Sequence, residues 1–167
     1  AALVCPLAAL LVGCGDGAPG PAAPTTRAAE AGFRGGDCNG ITDQDISSAA
    51  GPGMFSLAVV GDAGCFWQEN TMFDTVGAGM GISTWWYRGS DMDTERLLEQ
   101  QAGRTVVELS LDGNKGFKAY DTNACSIYVA KGGDVITWSI QTMNPAMLPD
   151  LCSMIERLAT LSQERVN

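Results

Sequence analysis

The chain of 167 residues contains no histidine. That absence removes the commonest general base and the commonest metal-binding side chain together. Ser-His-Asp, Cys-His and His-Glu-x-x-His arrangements are excluded outright. Lysine is scarce as well. Lys115, Lys118 and Lys131 all sit beside expected turns, where burial cannot lower a lysine pKa enough for Ser-Lys chemistry. Charged residues make up 17% of the chain and leave a net charge of −9. With no basic stripe, nucleic acid and electrostatic docking on anionic lipid are poor candidates as partners.

Other familiar signatures are missing. Gly77-Ala78-Gly79-Met80-Gly81 lacks G-x-G-x-x-G spacing and leads into a strand, so it is a strand approach and not a phosphate cradle. Asp91, Asp93 and Glu95 lack the glycine and distant glutamate of a calcium loop, and fit better as carboxylates offsetting a helix dipole. No C-x-x-C pair is present for zinc or redox work, and no M-x-M cluster for copper(I). Neither a metal nor a cofactor is expected. Two carboxylates could serve a glycosidase, but the acidic residues cluster in caps and turns. The expectation is a protein that is not an enzyme, with a hydrolase lacking a histidine base as the alternative.

What is present begins with Leu11-Val12-Gly13-Cys14. The apolar run from Ala1 to Val12 is too short to span a bilayer and ends in a small residue before a cysteine. The stretch resembles a bacterial lipobox, which implies a thioether-linked diacylglycerol on Cys14 and cleavage before it. Residues 1–13 are then a signal peptide, clipped at its front, where a basic n-region is missing. Residues 14–36 are the lipidated cysteine and a Gly/Ala/Pro tether, with a relaxed reach of about 25 Å. Residues 37–167 form one domain, whose core is supported by a hydrophobic content of 46%. The expected location is the extracytoplasmic face of the plasma membrane, held there by lipid.

Along the domain, Thr42-Asp43-Gln44-Asp45 caps a short helix that Gly51-Pro52 stops. Strands are expected at Leu57 to Val60, Cys65 to Glu69 and Ile82 to Tyr87. Ser90-Asp91-Met92-Asp93 opens a second helix through Leu97, Leu98 and Gln101, ended by Gly103. Thr105 to Leu111 alternates clearly, and Asp112-Gly113-Asn114 turns it into Phe117 to Tyr120. Cys125 to Val129 and Val135 to Thr142 flank Lys131-Gly132-Gly133-Asp134 as a hairpin. Leu151, Ile155, Leu158 and Ala159, with Met154, mark a C-terminal amphipathic helix. The order α-β-β-α-β-β-β-β-α, to within a strand, predicts an α+β fold. Its sheet is mainly antiparallel, with five to six strands and helices packed on one face.

Setting aside Cys5 and Cys14, the cysteines Cys38, Cys65, Cys125 and Cys152 form two disulfides with three possible connectivities. The expected pairing is Cys38 with Cys152, tying the ends of the domain, and Cys65 with Cys125, both in strands. For function, the lead is the aromatic strand Trp85-Trp86-Tyr87 with Arg88 at its end. Alternation puts Trp85 and Tyr87 on one face and Trp86 on the other. If one face is open, these rings and the arginine line a binding surface; otherwise they are core.

Several stretches in order carry a family resemblance. They are Cys14, Cys38-Asn39-Gly40-Ile41-Thr42-Asp43, Gly64-Cys65-Phe66-Trp67, Trp86-Tyr87-Arg88-Gly89-Ser90 and Glu95-Arg96. The turn from Leu111-Asp112-Gly113 to Gly116-Phe117, Cys125 in a strand and Cys152 opening the last helix complete them. Together they resemble the actinobacterial LprB/LprC-type lipoproteins, exported proteins built on a domain of unknown function. By fold analogy alone the order is similar to Mog1/PsbP-like modules and kinase sensor domains. The resemblance implies location, fold and disulfides and brings no catalytic residues. The expected function is a non-enzymatic, lipid-anchored envelope protein acting as a binding or accessory module of a membrane-associated complex. The alternative is a carrier or sensor of a lipid or cell-wall glycan. An enclosed apolar cavity would favour lipid, a flat aromatic patch a protein partner, and a polar cleft with rings a glycan.

Overall fold

In the computed structural model of the protein, residues 35–51, 55–70, 79–147 and 150–166 are described. The signal segment, Cys14 and the tether up to residue 34 lie outside them, and the last two tether residues, 35 and 36, belong to a 3-10 segment. After a 3-10 segment at Gly35–Gly40 come α1 (Asp43–Ala50), β1 (Phe55–Gly61), β2 (Gly64–Glu69), β3 (Gly81–Tyr87) and α2 (Met92–Gln101). Four strands follow: β4 (Thr105–Leu111), β5 (Asn114–Tyr120), β6 (Ala124–Lys131) and β7 (Asp134–Gln141). A short 3-10 turn at Pro145–Met147 leads into α3 (Leu151–Val166). The fold is α+β, as expected, but among the described residues the sheet has seven strands in the order β1-β2-β3-β7-β6-β5-β4. All of its pairings are antiparallel. The extra strand arises because Phe55–Gly61, Gly64–Glu69 and Gly81–Tyr87 all enter the sheet before α2.

The local signals act where the sequence places them. Thr42 and Asp45 form a reciprocal capping box at the start of α1, satisfying two of its free N–H groups. Asp91 caps α2 through Thr94 N at 2.8 Å. The tight turns Asp112-Gly113 and Gly132-Gly133 all take positive φ, the twist that matches paired strands.

One face of the sheet carries the main core. Cys65, Trp67, Ile82, Cys125, Ile127, Val129, Ile136, Trp138 and Ile140 are buried there with Ile46 of α1 and Met154, Ile155 and Leu158 of α3. Trp67 and Trp138 stack with ring centroids 6.3 Å apart. The Gly35–Gly40 segment seals the same face. Asn39 is buried, holds a left-handed backbone and donates its amide to Thr84 Oγ1 at 3.0 Å; Ser162 of α3 donates to its carbonyl at 2.9 Å.

The expectation of helices on one face alone is corrected. α2 lies over β4, β5 and β6 on the opposite face, beside the smaller cluster of Phe117, Ala119, Tyr128 and Val135 with Met92 and Val106. The reason is topological. The chain leaves β3 in the middle of the sheet and must cross β7, β6 and β5 to reach β4 at its edge, while α1 and α3 already fill the other side.

The disulfide pairing is corrected too. The bonds are Cys38–Cys65 and Cys125–Cys152, not Cys38 with Cys152 and Cys65 with Cys125. β2 and β6 are separated by β3 and β7. Three strand spacings put Cys65 and Cys125 about 14 Å apart, far beyond the reach of a disulfide. Each bond instead staples a covering segment to the strand beneath it, the Gly35–Gly40 segment to β2 and α3 to β6.

Candidate functional site

Trp85, Trp86, Tyr87 and Arg88 do not form one surface. Trp86 points to the α3 side and packs against the main core. Its indole N–H donates to Asp134 Oδ2 at 3.1 Å, and the Arg88 guanidinium sits 3.7 Å over its ring. Arg88 also donates to the Asp62 carbonyl at 3.1 Å. Trp86 and Arg88 therefore tie three turns of the sheet together. Trp85 and Tyr87 point to the α2 side. The Trp85 ring lies across Gly64, where a Cβ would come within 2.9 Å of it; Tyr87 is 38% exposed, and burial raises its hydroxyl pKa above the usual tyrosine value.

Beside these rings, the same face sinks into a trough that the aromatic run in the sequence does not mark. The register aligns Phe66, Ser83, Ser139 and Ser126 as neighbours across β2, β3, β7 and β6. The neighbouring row towards the β3 start is Gln68, Gly81, Gln141 and Ala124. The row on the other side carries the larger Trp85, Thr137 and Tyr128. Glycine, alanine and serine at the centre of a sheet leave a depression between bulkier rows. One hollow of about 280 Å³ is lined by Phe66, Ser83, Ser126 and Ser139 with Glu99, Arg104 and Tyr128. It adjoins a wider one of about 410 Å³ at Gln68, Asp121, Asn123 and Met143, sharing Phe66, Gly81, Ala124 and Gln141 with it. Together they reach the size usual for small-molecule sites.

The α2 wall of the trough is a fixed polar network. Glu99, buried near the end of α2, accepts from Arg104 Nη1 at 2.9 Å through each carboxylate oxygen and also accepts the Tyr128 hydroxyl. Arg104 Nη1 donates to Ser126 Oγ at 3.0 Å, and Ser139 Oγ donates to Ser126 Oγ at 2.9 Å. Arg104 Nε lies 3.5 Å from Asp121 Oδ2. Burial first, and then the hydrogen bond to Glu99, push the Tyr128 hydroxyl pKa far above the usual tyrosine value, so that ring stays a neutral donor. Two carboxylates thus flank one guanidinium, and the serines form a floor of paired donors and acceptors. Such a surface offers hydrogen bonds and the Phe66 ring to a ligand, while the Tyr128 ring is buried and stacked on Phe117. No group of three or more metal-ligating side chains occurs among the described residues.

A signal for the trough was present in β7. Ile136, Trp138 and Ile140 alternate with Val135, Thr137, Ser139 and Gln141, so the strand is apolar on one side and increasingly polar on the other. That pattern marks a face not wholly covered.

The profile described as "Protein of unknown function (DUF3558)" matches residues 9–165. The chain is similar to a Mycobacterium tuberculosis protein named "Putative lipoprotein LprB", 29% identical over 91% of this chain and 86% of that protein. The Mycobacterium bovis protein of that name is 28% identical over the same shares. The Mycobacterium leprae one is 26% identical over 75% of this chain and 67% of that protein. No solved structure matches. No helix among the described residues is long and apolar enough to cross a membrane.

Proposed function

Because the chain belongs to the DUF3558 family, whose description names no function, we propose a role from the trough itself. The protein is a lipid-anchored envelope module that binds a cell-wall glycan without transforming it. The carrying observation is the hydroxyl-floored hollow edged by Phe66 and Tyr128 on a half-covered sheet. A polar cleft with the Phe66 ring at its edge suits a polyhydroxylated ligand, which needs paired donors and acceptors as well as an apolar face. A lipid tail would need an apolar enclosure, and serines and glutamines make a poor one. Binding is favoured over catalysis because Glu99, Arg104 and Tyr128 are engaged with one another.

Anchoring on Cys14 is part of the same proposal. The family match begins at residue 9 and so takes in Leu11-Val12-Gly13-Cys14, and the mycobacterial relatives are named lipoproteins. The chain enters the domain through the Gly35–Gly40 segment, packed on the α3 side, so the sheet stands between that segment and the trough. Mass spectrometry of the mature protein should find an acylated Cys14 at its N-terminus, and Cys14→Ala should move the protein out of the membrane fraction. Pull-down on insoluble cell-wall polysaccharide should retain the wild-type domain and lose Phe66→Ala. Equal retention of both would reject the trough as the site.

A second reading, an accessory subunit of a membrane complex, is favoured by one observation. Leu97 and Leu98 are 53% and 54% exposed, side by side on α2, and apolar residues so placed suit a protein contact. Native co-purification from solubilised membranes, lost on Leu97→Ser with Leu98→Ser, would support that reading.

A further inference from the structure

We propose that the trough selects a neutral sugar unit and rejects acidic ones: uronic acids, and sulfated or phosphorylated sugars. This rests on the glycan reading above and names the class of glycan. Among the described residues lining the two hollows, the charged ones are Glu99, Arg104 and Asp121. Arg104 is the cation that an acidic ligand would need; its Nη1 is already committed, and its Nε and Nη2 are buried without a hydrogen-bond partner. Both Glu99 oxygens lie 2.9 Å from its Nη1, and Asp121 lies 3.5 Å from its Nε. One guanidinium against two carboxylates leaves the site with an excess negative charge. The whole chain, at −9, adds to it.

To pair with Arg104 through Nη1 an incoming anion would have to displace Glu99, leaving a buried carboxylate with only Tyr128 for a partner, and Nε and Nη2 are buried out of solvent contact. Taking one partner from a buried ion pair is strongly unfavourable. A neutral sugar asks for no displacement. Its hydroxyls can both donate to and accept from Ser83, Ser139, Gln141 and Gln68, while its apolar ring face meets Phe66. The Phe66 ring lies over Gly81, where a Cβ would come within 2.9 Å of it. Any side chain at position 81 would push the ring aside. The glycine both deepens the trough and sets its wall.

The test uses the mature protein and calorimetric titration with defined hexasaccharides. Cellohexaose, maltohexaose and a galactan hexamer are the neutral probes, and oligogalacturonate of the same length is the acidic one. At least one neutral probe should bind at least tenfold more tightly than oligogalacturonate. Phe66→Ala and Ser139→Val should each weaken it at least fivefold. Asp121→Asn, at a half-exposed position, should narrow the gap by strengthening the acidic probe alone. Tighter binding of oligogalacturonate would overturn the inference and leave glycan binding standing. Neutral binding untouched by Phe66→Ala and Ser139→Val would place the site elsewhere and overturn it. Failure of every hexasaccharide to bind would overturn the glycan reading together with it.

Discussion

On β7, Ile136, Trp138 and Ile140 point beneath α3, while Val135, Thr137, Ser139 and Gln141 point the opposite way. β2 and β3 repeat the contrast: Trp67 and Ile82 are buried in the main core, whereas Phe66 and Ser83 edge the trough. The same backbone therefore serves two purposes. On the α3 side, fully buried aliphatic and indole side chains hold the domain together. On the α2 side, the covering helix reaches only part of the sheet, and the remainder is lined by hydroxyls and amides that contribute little to stability. A surface that is not needed for folding is free to be shaped for a ligand.

The contrast breaks most visibly on the covered side. Trp138 is fully buried and stacked on Trp67. Trp138→Ala should cost ~3–5 kcal/mol, read as a lowered denaturant midpoint. Next come the staples. Each disulfide spans 27 residues, for which the chain-entropy model gives about 3.5 kcal/mol. Replacing Cys125 and Cys152 together by serine should lower stability by that order and loosen α3 from β6, visible as faster amide exchange in both. Peptide mapping of the unreduced protein should recover Cys38 with Cys65.

Asp45 provides a smaller and pH-dependent effect. Hydrogen bonds from Arg165 at 2.6 and 3.0 Å, and from Thr42, hold its carboxyl well below the usual aspartate range, joining α1 to the end of α3. A carboxyl with a lowered folded-state pKa contributes stability that is fully present above the unfolded value of about 3.9 and is lost as pH falls through it toward the folded value. Asp45→Asn should therefore cost about 1 kcal/mol at neutral pH, the scale of a capping box and an ion pair. It should also flatten the decline in stability below about pH 4. The smallest expected change is on the α2 side. Ser139→Ala, which removes one part-buried hydrogen bond to Ser126, should cost about 0.5 kcal/mol, the low end for a single hydrogen bond.

Most of the element order was legible in the sequence, because caps, Gly-Gly and Asp-Gly turns and period-two alternation act locally. Thr42, Asp91, Gly132 and Gly133 do in the structure what their spacing predicts. The face taken by α2 and the disulfide pairing were not legible. Both depend on which strands lie side by side, and β7 inserting between β3 and β6 is a long-range event that no local pattern records. Strand position alone made Cys65 and Cys125 look like partners, although two strands separate them. The aromatic run Trp85-Trp86-Tyr87 stood out by composition, and alternation divided it correctly between the faces. The trough stayed hidden because its members, Phe66, Ser83, Glu99, Arg104, Ser126, Tyr128 and Ser139, are ordinary residues on separate elements. The polar half of β7 was the one local hint.

Phe66 and Trp67 are neighbours on β2 that point to opposite faces, so they test the division of labour most directly. Phe66→Ala and Trp67→Ala should be compared for denaturant midpoint and, at matched folded protein, for binding of the tightest neutral hexasaccharide. Phe66→Ala should cost no more than about 1 kcal/mol of stability while weakening binding at least fivefold. Trp67→Ala should cost ~3–5 kcal/mol and leave binding by the folded fraction unchanged. If Phe66→Ala instead destabilises the domain as much as Trp67→Ala and leaves binding intact, the α2 side of the sheet is core and the account is contradicted.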